Sequence, residues 1–191
     1  MRFAYADPPY PGCAHYYLSE NPNAAEVDHA ALIARLCAEY PDGWALSTHA
    51  NALRDLLPLC PDDVRVAAWC KPFATWKLGG RATSVPYTWE PVIFRGGAKR
   101  ERTKRLGVVC RDFVLASPPL RQRVPGEKPP AFSWWVFSML GAEPGDEMDD
   151  LFPGSGAVTE AWRSWCGEWS TTGTLFAESA RVPPGGKGDA T

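Results

Sequence analysis

Apolar and polar positions alternate along this chain in a regular succession of strand-like and helix-like segments. Arg2 to Ala6 reads as a short strand running straight into Asp7-Pro8-Pro9-Tyr10. Residues 27–40 show helical spacing through Val27, Ala31, Ile33, Ala34, Leu36 and Cys37, stopped by Pro41-Asp42-Gly43. Trp44 to Thr48 then predicts a strand, Ala50 to Leu57 a short helix, and Val64 to Cys70 a further strand. The loop from Lys71 to Pro86 contains Gly79-Gly80 and precedes a strand at about Glu90 to Arg95. A β-like run from Gly107 to Ala116, an aromatic-rich helix from Ala131 to Leu140, a strand from Glu147 to Phe152 and a helical stretch from Val158 to Trp165 follow. Strands alternating with helices predict an α/β fold with a mainly parallel sheet, carrying a hairpin near its end.

Length and composition narrow the class. A chain of 191 residues with 45% hydrophobic residues can bury the core of one domain. There is no apolar run long enough to span a membrane and no charged-then-apolar leader at the amino terminus, so a cytoplasmic protein is expected. Six scattered cysteines without a C-x-x-C pair argue for reduced thiols and against a zinc site. The net charge of −2 conceals a basic segment: between Arg95 and Arg123 nine basic residues face two acids, Glu101 and Asp112. Such a segment suits a nucleic-acid phosphate backbone, with Lys99, Arg100, Arg102, Lys104 and Arg105 at its centre. A solvated charged loop is the alternative reading.

The chemistry concentrates in two places. In Asp7-Pro8-Pro9-Tyr10 the acid can accept one hydrogen of an exocyclic amine and a proline carbonyl the other, while the tyrosine ring offers a stacking face. A strand ending in a proline-stiffened turn is the plainer reading of the same four residues. In Asp149-Asp150-Leu151-Phe152-Pro153-Gly154-Ser155-Gly156-Ala157, glycines between a strand and a helix allow close approach to a ligand beside a helix amino terminus.

These elements resemble a known family. Asp7-Pro8-Pro9-Tyr10 looks like motif IV of the S-adenosylmethionine-dependent amino-methyltransferases, Asp150 to Gly156 like their motif I, and Gly126-Glu127-Lys128-Pro129 like motif X. Their order, motif IV before a variable region and then motifs X and I, is that of the permuted β-class enzymes. The runs Val66 to Phe73 and Tyr87 to Phe94 are similar to strands of MT-A70-like and phage adenine methylases.

The resemblance implies a Rossmann-like class I methyltransferase fold over residues 1–178, with a basic target-recognition segment at 96–125 and a flexible tail at 179–191. It implies methyl transfer from S-adenosylmethionine to adenine N6 in DNA, by base flipping and direct in-line attack without a metal. Asp7, Pro8, Pro9 and Tyr10 are the implied catalytic set; Lys128, Asp150, Phe152, Gly154, Ser155 and Gly156 the cofactor set. Lys128 is expected to reach the cofactor carboxylate, and Glu178, with Glu168 as rival, to bind the ribose. A shortened cofactor half is expected after Glu178, leaving room for a homo-oligomer or a partner subunit.

Two other functions fit the same motifs: an RNA adenine methylase, and an inactive methylase-like nucleic-acid-binding subunit. Ser117-Pro118-Pro119-Leu120 imitates the cytosine-N4 motif but lacks the aromatic face, and reads as a structural turn. Cytosine C5 chemistry has no Pro-Cys nucleophile here. The Ala, Arg, Pro and Trp bias suits a GC-rich source such as an actinobacterium or its phage.

Overall fold

The computed structural model describes residues 1–14, 26–72, 87–96, 110–118 and 126–167. Six strands, β1 (Arg2–Ala6), β2 (Gly43–Ser47), β3 (Arg65–Cys70), β4 (Trp89–Gly96), β5 (Phe113–Leu115) and β6 (Glu147–Asp150), form one sheet in the order β5-β3-β4-β2-β1-β6. β1 runs parallel to β2 and β6, and β3 parallel to β5, whereas β4 is antiparallel to both its neighbours. The antiparallel β3–β4 pair stands one strand in from the edge because β5 adds outside it. Among the described residues the expected run at 107–116 is a strand only over Phe113–Leu115.

Helix α1 (His29–Glu39) starts where the Asp28 carboxylate accepts the Ala31 amide at 3.0 Å, a side-chain N-cap. Its buried stripe, Leu32, Ile33 and Leu36, lies with Leu56 of the short helix α2 (Leu53–Leu56) against Ala4, Ala6, Trp44, Leu46 and Ile93 of the sheet. The other face is covered by α3 (Pro130–Leu140), whose Phe132, Val136 and Phe137 are fully buried with Phe3, Tyr5, Ala45, Trp69 and Val92. α3 is apolar nearly all round because it is sandwiched: Trp162 and Trp165, in the helical residues 157–167, meet Phe137 edge-on at 5.0 and 6.2 Å. It ends at Gly141 (φ 80°), where the amides of Gly141 and Ala142 return to the last turn's carbonyls.

The two faces interleave with period two along every strand, which is what sets the site. Phe3 and Tyr5 face α3, so the next position on that face is Asp7. Likewise Ala45 leads to Ser47, Trp69 to Lys71, Met148 to Asp150, and, backwards along the antiparallel strand, Phe94 and Val92 lead to Glu90. Polar chemistry therefore collects at one edge of the sheet on the α3 face, at the carboxyl ends of the parallel strands.

One backbone contact holds the sheet's centre tightly. Gly96 (φ 116°) pairs with Gly43, and a Cβ there would stand 2.7 Å from the Gly43 Cα and 2.8 Å from the Asp42 carbonyl oxygen. Gly96→Ala combines a disfavoured φ with a backbone collision. It is expected to cost about 2–3 kcal/mol and to lower Tm by roughly 5–10 °C. A calorimetric scan checks this, and an unchanged Tm would contradict the β2–β4 register.

Candidate active site

Asp7 leaves β1 into a pair of prolines, which fix the backbone and withhold amide donors. Its Oδ2 accepts from the ammonium of Lys128 at 2.6 Å. Lys128 stands just before α3, is almost wholly buried, and also donates to the Gly126 carbonyl at 3.2 Å. Burial, reinforced by the Glu90 charge, holds the Asp7 carboxyl above the usual carboxylate range against the downward pull of Lys128. The lysine expected to reach a cofactor carboxylate thus pairs, in this structure, with Asp7, the acid of the expected catalytic set.

A second ion pair adjoins the first. Lys71, at the end of β3, donates to Glu90 Oε1, and the Tyr10 hydroxyl donates to Glu90 Oε2 at 3.1 Å. The Lys71 and Lys128 ammonium groups lie 4.3 and 5.5 Å from the centre of the Trp69 ring. Burial alone would raise Glu90, but Lys128 and Lys71 outweigh it and hold its carboxyl below the ordinary value. Burial lowers Lys71, with Glu90 opposing. Tyr10, pushed well up by burial and then by the Glu90 charge, keeps its proton and is the donor. Two carboxylates and two ammonium groups thus share one pocket without net charge.

In the sequence Lys71 reads as the start of a loop and Glu90 as the start of a strand, neither as a site residue. The signal that finds them is the period-two continuation of the core: each is the next α3-facing position after Trp69 or Val92.

The glycine turn arrives alongside. β6 pairs with β1 from Arg2↔Glu147 to Tyr5↔Asp150, and the Leu151 amide extends the ladder to the Tyr5 carbonyl at 2.9 Å. Asp7 and the turn at 153–156 therefore leave adjacent parallel strands at the same end. Gly154 (φ 48°) and Gly156 (φ 77°) take left-handed conformations, and a Cβ on Gly156 would meet nothing within 4 Å. The turn is open on that side. Asp150 is half-buried; its Oδ2 accepts weakly from the Thr159 hydroxyl at 3.4 Å, while the buried Oδ1 has no hydrogen-bond partner among the described residues. Burial, reinforced by the Asp7 charge and opposed by the Phe152 amide, Thr159 and Lys128, pushes its carboxyl up to about 6.

A buried carboxylate oxygen lacking a donor, beside an open glycine turn, fits the amino group of a methionine moiety. Phe152, expected against the cofactor, is half-buried and packs with Leu151 against the core beneath α1.

The Asp150 shift carries a prediction. A carboxyl raised in the folded state contributes stability that is fully present below its unfolded value near 3.8 and is lost as pH rises through about 6. Asp150→Asn is expected to remove that loss, making the free protein more stable than wild type at pH 7, and to weaken S-adenosylmethionine binding by roughly tenfold or more. Thermal melts from pH 4 to 8, with and without the cofactor, check both.

Other expected site residues fall differently. Pro8 and Pro9 sit between Asp7 and Tyr10 as the sequence requires, and Ser155 lies in the glycine turn. Lys99, Arg100, Arg102, Lys104 and Arg105 lie outside the described residues, as do Glu168, Glu178 and the expected shortened cofactor half. Among the described residues there is no cluster able to hold a metal ion and no helix long and apolar enough to cross a membrane.

No protein-family model and no curated protein sequence matches the chain. Solved structures do. The crystal structure of the M1.HpyAVI–SAM complex matches with a TM-score of 0.58 at 16% identity, over 87% of this chain and 78% of that one. A crystal structure of M1.HpyAVI gives 0.56 at 16% identity, over 87% and 77%. The fold is thus the Rossmann-like one shared with M1.HpyAVI: a mostly parallel six-stranded sheet with flanking helices.

Proposed function

We propose that this protein transfers a methyl group from S-adenosylmethionine to the N6 amine of adenine in DNA. The observation that carries the reading is the delivery of Asp7-Pro8-Pro9-Tyr10 and the Gly154–Gly156 turn to one end of two paired parallel strands. A base-holding motif and a cofactor-holding motif must meet for direct transfer, and these two leave adjacent strands at a sheet switch point. The fold shared with M1.HpyAVI, solved in complex with SAM, supports the choice of cofactor.

Bound there, S-adenosylmethionine would supply an electrophilic sulfonium methyl; Asp150 and the glycine turn would hold its methionine end. The protein's own residues do the remainder. A target adenine leaves its stack, at a cost of a few kcal/mol, and lies on the Tyr10 ring. Asp7, ionised beside Lys128, accepts one hydrogen of the amine, and the Pro8 carbonyl accepts the other. Both contacts draw electron density onto nitrogen and free its lone pair for attack. The developing positive charge on nitrogen is stabilised by the Asp7 carboxylate. No nucleophilic side chain forms a bond to the base, and the surplus proton leaves to water afterwards.

We assign the methyltransferase domain to residues 1–178 and place the enzyme in the cytoplasm, with the basic segment 96–125 on the DNA backbone. The test is transfer of labelled methyl from S-adenosylmethionine to duplex DNA, single-stranded DNA and RNA, followed by nucleoside identification. N6-methyldeoxyadenosine is the expected product. Label confined to RNA would move the activity to RNA adenine, and cofactor binding without transfer to any substrate would indicate the inactive subunit.

A further inference from the structure

The Tyr10 ring is held from two sides by residues that the transfer chemistry leaves without a task. Its hydroxyl donates to Glu90 Oε2 at 3.1 Å, and the other oxygen of Glu90 takes the Lys71 ammonium. Lys71 in turn rests on Trp69, a fully buried ring pinned by its Nε1 donating to the Ala116 carbonyl at 2.7 Å. On the other side the His49 ring lies 6.4 Å from Tyr10, and Tyr87 lies 4.6 Å from His49. The Asn51 amide donates to His49 Nδ1 at 3.3 Å, and the Asn51 side chain donates to the Tyr87 hydroxyl at 2.9 Å. An unbroken line of contacts thus runs from the hydrophobic core to a ring in a loop.

Stacking alone would be served by phenylalanine; a hydroxyl bonded to a charged carboxylate adds a fixed orientation. We propose that Glu90, itself fixed by Lys71, is a positioning residue that locks the plane of Tyr10, so that a stacked base meets Asp7 in one orientation. The proposal rests on the adenine-methylation reading above and deepens it. Glu90 touches neither base nor cofactor in this role; it acts through the tyrosine hydroxyl. The two neighbouring lysines keep Glu90 ionised, and so a permanent acceptor, while Tyr10 remains protonated and a permanent donor. Misaligning a reacting group by an ångström is enough to slow a reaction severely, so a ring free to rotate has a direct kinetic cost.

The experiment compares the full chain with Tyr10→Phe, Glu90→Gln and the double variant. It measures kcat and KM on duplex DNA, and the emission of 2-aminopurine placed at the adenine that the methylation assay identifies. Each single variant is expected to lower kcat roughly tenfold with KM nearly unchanged, and to raise 2-aminopurine emission as stacking loosens. The double variant should be no worse than the worse single, because both remove one interaction. Additive losses, or a Tyr10→Phe enzyme with wild-type kcat and emission, would overturn the positioning role while Asp7→Asn still shows the methylation reading intact. If wild type methylates no adenine, the reading itself fails and the proposal falls with it. Tyr10→Phe removes a single oxygen, so it carries the test alone should Glu90→Gln fail to fold.

Discussion

Asp7→Asn is expected to lower methyl transfer by roughly 10³-fold while leaving the fold in place and S-adenosylmethionine binding within a few-fold. The carboxylate has only acceptors; an amide of the same shape presents two hydrogens as well. One orientation of the asparagine points those hydrogens at the Lys128 ammonium, the other at the amine of the base. In the first the neutral amide oxygen accepts from the amine more weakly than a carboxylate, and in the second nothing accepts from it. The fold should survive at some cost in stability: burial already opposes the Asp7 charge, and the Lys128 ammonium left behind keeps the Gly126 carbonyl and the nearby Glu90 carboxylate. Labelled transfer, titration calorimetry with the cofactor and a thermal melt separate the three quantities. A variant that keeps more than a tenth of wild-type activity would remove Asp7 from the chemistry.

Lys128→Met tests the other half of the pair and is expected to have the larger effect on stability. It leaves a buried carboxylate without the cation 2.6 Å away, a change that typically costs about 3–5 kcal/mol when one partner of a buried pair is removed. The cost depends on pH in a definite sense. The Asp7 carboxyl is already raised in the folded state, so its contribution to stability is complete below the unfolded value near 3.8 and is lost as pH rises through the folded value. Losing Lys128 raises that folded value further. The deficit relative to wild type should therefore be small in acid and grow towards neutral pH. The same shift moves the acid limb of the pH–rate profile upward and lowers activity towards the acid side of neutral pH. Adding Asp7→Asn to Lys128→Met should recover stability, since no charge is then stranded, but no activity. Melts of both variants across pH, beside their rate profiles, check each part. A pH-independent deficit would mean that Lys128 supports the fold through packing on Trp69 and Phe132 rather than through Asp7.

Much of this architecture is legible in the residues because local and global preferences agree. The 27–40 periodicity and the Pro41-Asp42-Gly43 stop place α1 within two residues of its observed ends. The aromatic run 131–140 announces α3, and its all-round apolarity anticipates its place between the sheet and the residues 157–167. The Asp7–Tyr10 turn and the glycine turn are readable since each depends on residues close in sequence. What was not legible depends on pairing between distant strands. That Asp7 meets Lys128, 121 positions away, follows only from where α3 begins over the sheet. Glu90 and Lys71 carry no motif of their own; they become visible once the antiparallel β3–β4 register sets Glu90 opposite Trp69. The short extent of β5 is likewise a matter of how much of its length finds β3 to pair with.

The claim on which everything else depends is that adenine N6 in DNA receives the methyl group. It is tested most directly by expressing the protein in a host whose DNA lacks adenine methylation and identifying the nucleosides of that DNA by mass spectrometry. N6-methyldeoxyadenosine with the wild-type protein, absent with Asp7→Asn, is the result this account predicts. Unmodified adenine alongside N4-methyldeoxycytidine, or methyladenine that persists with Asp7→Asn, would contradict it.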